Sequence, residues 1–81
     1  MEAKKAEETA MRILARVGIR DNISSVHYQA YEPENKRTIV KLFYKGQEQH
    51  EGFLNIFDNR SYEVILERDS IEKDNIIVGR L

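Results

Sequence analysis

Ser24, Ser25 and His27 lie within four consecutive positions, and a hydroxyl beside an imidazole is the minimum a nucleophile and its general base require. In an extended strand Ser24 and His27 point to opposite faces, while Ser25 and His27 share one. The sequence places no acid to orient the imidazole, so a hydroxyl pair at the entrance to a strand is expected rather than a catalytic set. His27 and His50 are the only histidines. Glu51 adjoins the second, but no ligand spacing of a zinc or copper centre is present. The acidic stretches 32–35, 58–59 and 69–74 lack the alternating pattern and distal glutamate of a calcium loop and read as turns and caps. Gly18, Gly46, Gly52 and Gly79 are too scattered to cradle a phosphate. The chain has no cysteine, which excludes thiol catalysis, zinc–thiolate sites and disulfides. The expectation is a non-enzymatic chain with no metal and no cofactor.

A second chemistry is carried by aromatic residues interleaved with cations. Sheet faces that bind single-stranded nucleic acid stack bases on aromatic rings and hold phosphates with neighbouring Lys and Arg. His27, Tyr31, Arg37, Lys41, Phe43 and Lys45 supply both kinds of group. Against that reading, Glu63 and Glu67 fall on the same face. The 81 residues carry 13 Lys and Arg against 14 Asp and Glu, a net charge of −1, so no global field draws in a polyanion. The order of one helix and then strands is loosely that of double-stranded-RNA-binding domains. The final basic helix and loop signatures of that family are absent, and nothing of it is carried over.

The elements that position these residues follow from periodicity. Ala6, Ala10, Ile13, Leu14 and Val17 recur on one helical face, separated by charged helix formers, with Gly18 placed to end the helix in a left-handed cap. The spacing predicts a helix over 4–17. Residues 24–31 and 37–45 are rich in β-branched and aromatic types and flank a turn containing Pro33 and Asn35, which predicts a hairpin. Gly46 marks the next turn, and a third strand is expected over 48–57 with a bulge at Gly52. Asp58-Asn59-Arg60 turns the chain into a fourth strand over 61–67. Asp69 and Glu72 have capping-box spacing for a helical turn near Ser70, and Asn75-Ile76-Ile77-Val78 favours a last short strand. The fold class expected is α+β in a single domain over 1–81: an N-terminal helix on one face of a four- or five-stranded antiparallel meander, with a short C-terminal helical turn or strand.

Strand alternation then sorts the side chains. Val26, Tyr28, Ala30, Val40, Leu42, Tyr44, Leu54, Ile56, Tyr62, Val64 and Leu66 form the face the helix covers. The opposite face mixes His27, Gln29, Tyr31, Arg37, Ile39, Lys41, Phe43, Lys45, Phe53, Phe57, Glu63, Ile65 and Glu67. Either the C-terminal segment (Ile71, Ile76, Ile77, Val78 and Leu81) or a second copy covers it, or it is a binding face. A meander with one helix offers little concavity for an active site. The reading that follows is a small interaction or regulatory module, homodimeric through that face in one version, with a contact surface centred on Tyr31, Ile39, Phe43 and Ile65. Single-stranded nucleic-acid binding is the alternative. The N-terminus lacks the apolar run of a secretory signal and no stretch approaches a membrane span, so a cytoplasmic location and no membrane partner are the default expectations.

Overall fold

Helix α1 (Ala3–Arg16) is followed by a single 3-10 turn over Arg20–Asn22 and five strands: β1 (Ile23–Glu32), β2 (Arg37–Tyr44), β3 (Gln47–Phe57), β4 (Ser61–Leu66) and β5 (Asn75–Arg80). In this computed structural model, residues 1–66 and 75–81 are described, with side chains for all of these except 47–50 and 75. All neighbouring strands pair antiparallel in the order β1-β2-β3-β4-β5. The α+β meander expected from the sequence is therefore the architecture, with five strands. The expected helical turn near Ser70 lies outside the described residues, as does Ile71.

Why α1 stops where it does is visible in its backbone. Gly18 takes φ 83°. Its N–H bonds the Ala15 carbonyl at 3.1 Å, and the Ile19 N–H bonds the Leu14 carbonyl at 3.0 Å, a Schellman closure that satisfies the last carbonyls of the helix. Ala6, Ala10, Ile13 and Leu14 are buried on the sheet side. The two alanines let the helix axis come close to the strands, where it packs on β1 and β2. Val40, Leu42, Leu54, Ile56, Tyr62 and Val64 complete one continuous core with Ile23. Each such side chain contributes about 1.5–3 kcal/mol by leaving water.

β1 is an edge strand, and α1 guards it. The Tyr28 N–H, which points away from β2, donates to Glu7 Oε2 at 2.9 Å, so the helix satisfies an edge donor that another chain would otherwise compete for. β1 also carries two irregularities. Its register against β2 shifts between Ile23 and Ser25 and again between Tyr28 and Ala30.

The second shift overturns one face assignment. Up to Tyr28, paired with Val40, the expected alternation holds. Gln29 is an extra residue, after which Ala30 pairs with Ile39 and Tyr31 with Thr38. One inserted residue reverses the parity of everything beyond it. Ala30 therefore moves to the face opposite the helix, and Tyr31 moves to the helix side.

Gly52 is the reverse correction. It pairs regularly with Leu42 and Leu66 and makes no bulge. Its lack of a side chain serves close packing instead: a Cβ there would sit 2.8 Å from the Ile65 carbonyl oxygen and 3.0 Å from the Tyr44 hydroxyl. The carbonyl belongs to the β3–β4 ladder and cannot retreat cheaply. Gly52→Ala should therefore lower stability by about 1–3 kcal/mol, measured by urea unfolding. An unchanged midpoint would mean the strands separate there at no cost.

Candidate functional site

The face of the sheet away from α1 is bare among the described residues. Three rows cross it besides the one that Glu32, Arg37 and Phe57 form beside the β1–β2 turn. Ala30, Ile39, Asn55, Glu63 and Val78 are successive partners in one, and His27, Lys41, Phe53, Ile65 and Ile76 in the next. Ser25, Phe43 and Glu51 make the third. The expectation that residues 76–78 fold back over this face does not hold. They extend the sheet as β5, because Asn75-Ile76-Ile77-Val78 satisfies its backbone by pairing with β4. Ile77 turns inward against the core. Ile76 and Val78 add to the bare face and are 59% and 72% exposed.

Of the four residues expected to form a contact surface, Ile39, Phe43 and Ile65 share this face and are half-buried among their neighbours. Tyr31 does not join them. Displaced by the Gln29 bulge, its hydroxyl donates to Asp58 Oδ2 at 2.7 Å. That bond to a carboxylate raises the Tyr31 pKa above the ordinary phenol value, since ionising the ring would lose the donor and set two anions together. Phe53, Ile76 and Val78 belong to the apolar surface and were not among the residues singled out. The parity of Ile76 and Val78 within a last strand is the sequence signal that would have found them.

The charges on this face are largely compensated within the chain. The Arg37 guanidinium spans two acids. Its Nη2 donates to Glu32 Oε2 at 3.3 Å and its Nη1 lies 3.9 Å from Glu63 Oε1. Its Nε lies 3.2 Å from Glu32 Oε1, an ion pair whose angle is too bent for a hydrogen bond. Asn55, buried although it sits on this face, donates to Glu63 Oε1 at 2.9 Å. Lys41 Nζ is 3.1 Å from Glu51 Oε2 and 5.3 Å from the centre of the Phe43 ring, where the ring face attracts it. His27 meets the same ring edge-on at 5.5 Å and shares a 3.1 Å hydrogen bond between Nε2 and Ser25 Oγ. No carboxylate orients that imidazole among the described residues.

Thus Arg37 and Lys41, two of the six residues with nucleic-acid chemistry, already hold acids, and Tyr31 faces the other way. Phe43 lies between His27 and Lys41, and Lys45 is exposed in the β2–β3 turn. Among the described residues no group of three or more His, Cys, Asp and Glu converges as metal ligands. No described helix is long and apolar enough to cross a membrane.

The fold is less flat than expected. Between α1 and the β3–β4 end of the sheet lies an open cleft of about 650 Å³, lined by Lys5, Arg12, Arg16, Thr38, Asp58 and Arg60 among others. It exists because α1 packs over β1 and β2 and leaves the far end of β3 beside it uncovered.

No protein-family model matches the chain, and neither a curated protein nor a solved structure is similar to it.

The Glu32–Arg37 clasp has a testable pH signature. The bond from Asn35, then that from Arg37, holds the Glu32 carboxyl below its ordinary range. A lowered folded-state pKa contributes stability that is present above the unfolded value and disappears as pH falls through the folded one. Glu32→Gln should lower the urea midpoint at neutral pH, with the gap to the parent closing on acidification below the ordinary carboxylate range. A gap that stays constant with pH would remove the clasp as its cause.

Proposed function

We propose that the chain is a small non-enzymatic interaction module that works by self-association, two copies stacking through the bare face of the sheet. The observation that carries this reading is the apolar band formed by Phe53, Ile65 and Ile76 on three adjacent strands, extended by Ile39 and Val78. Monomers seldom leave a contiguous patch of this kind in water, and such patches mark contact sites.

Charge favours a second copy as the occupant. Among the described residues the face carries three cations (Arg37, Lys41 and Arg80) and three acids (Glu32, Glu51 and Glu63), and most of these are paired internally. Two identical neutral mosaics meet without net repulsion and with few charges left to desolvate unpaired. The same neutrality weakens the nucleic-acid alternative, which draws its affinity from unpaired cations. A twofold arrangement would set the apolar band of one copy on that of the other, as closed dimers require.

Sedimentation from micromolar to millimolar concentration should show a monomer–dimer equilibrium. Ile76→Lys with Val78→Lys should return the chain to a monomer with its circular dichroism unchanged, since both side chains stand in solvent in the single copy. Phe43→Asp should do the same from the row beside that band. A parent that stays monomeric throughout the range rules out self-association. Dimerisation that survives all three changes places the interface elsewhere.

A further inference from the structure

The cleft on the helix side has a composition unlike the rest of the surface. Lys5, Thr9, Arg12, Ile13 and Arg16 recur at helical spacing, so α1 turns one stripe into its wall. Thr38, Ile56, Phe57, Asp58 and Arg60 form the opposite side. Lys5, Arg12, Arg16 and Arg60 thus converge on one concavity in a chain whose net charge is −1. None of the four is in an ion pair among the described residues. The acid opposing them, Asp58, accepts the Tyr31 hydroxyl.

Thr38 is the second and independent observation. It is 2% exposed and lines the cleft, yet its hydroxyl has no hydrogen-bond partner among the described residues. Its neighbour across the cleft behaves differently: Thr9 Oγ1 donates to the Lys5 carbonyl at 2.8 Å. The little of Thr38 that is exposed includes its hydroxyl oxygen, which opens on the cleft rather than lying stranded in the core. A valine would fill the same shape and would lose no bond within the fold. A lone donor at the base of a cationic cleft is the arrangement that an oxyanion completes.

From this geometry we propose that the cleft binds a phosphate-bearing small molecule with an apolar or aromatic body. The phosphate takes the Thr38 hydroxyl and the Arg12, Arg16 and Arg60 guanidinium groups, whose planar forks match its oxygens. The body rests against Met1 and Leu81, the exposed apolar residues of the lining. A volume of about 650 Å³ suits a ligand of that size. The proposal is independent of self-association, because the cleft and the bare face lie on opposite sides of the sheet.

The test is titration of the isotope-labelled full chain with inorganic phosphate and with phenyl phosphate, followed by amide chemical shifts. Saturable shifts confined to residues around Lys5, Thr9, Thr38 and Arg60 are expected, with phenyl phosphate binding at least about tenfold tighter through its ring. Thr38→Val should weaken phenyl phosphate severalfold while raising the melting temperature. Arg60→Gly should act in the same two directions, since Arg60 holds φ 73°, which glycine adopts without strain. Opposite signs for binding and stability separate a ligand-directed residue from a structural one. Non-saturating shifts, shifts spread to Lys45 and Arg20, or unchanged affinity in the Thr38→Val chain would overturn the site.

Discussion

Everything in this molecule depends on a single packing contact, the close seating of Ala6, Ala10, Ile13 and Leu14 of α1 on one side of the meander. A chain of this length buries only about three-fifths of the surface its unfolded form exposes, and here one helix supplies a whole layer. Small residues on α1 bring it near the strands, and the branched side chains of β2, β3 and β4 fill the space between. A single helix cannot cover five strands. It lies over β1 and β2, and both surfaces of functional interest are consequences of that shortage: a cleft beside the helix and a bare face behind the sheet.

The two edges of the sheet are treated differently. β1 is irregular twice and gives its Tyr28 donor to Glu7, so its outer side is broken and partly occupied. β5 is regular, carries Ile76 and Val78 outward and has no such guard among the described residues. Edge strands that are neither charged, bent nor covered invite pairing by other chains. The exposed apolar band and the open edge adjoin, which concentrates the contact-forming surface at the β4–β5 side of the molecule.

Charge is arranged by the same division. On the bare face Arg37 and Lys41 are neutralised within the chain, the first by Glu32 and Glu63 and the second by Glu51. In the cleft they are not. An even overall balance therefore conceals one neutral surface and one cationic one. The pairs on the bare face are side-chain neighbours across strands, a relation that alternation alone makes possible. The cationic stripe of α1 acquires its meaning only when the far end of β3 arrives beside it.

Local pattern was enough to read much of this chain. Helical spacing with Gly18 at its end, the hairpin around Pro33, the turns at Gly46 and Asp58, and the terminal strand after Asn75 are all short-range signals, because each is decided by the conformational preferences of a few adjacent residues. Ile39, Phe43 and Ile65 share a face for the same reason. Tertiary structure alone decided the rest. The Gln29 bulge reversed Tyr31 and Ala30, since one unpaired residue flips parity and the amino-acid types around it carry no mark of the pairing. Gly52 proved to be a packing residue, because the groups that exclude a side chain there, the Ile65 carbonyl and the Tyr44 hydroxyl, come from other strands. Residues 76–78 became an edge strand rather than a lid, since backbone pairing with β4 is available only once that strand is in place. The unpartnered Thr38 hydroxyl in a cationic cleft joins residues thirty positions apart, and only the angle at which the helix crosses the sheet brings them together.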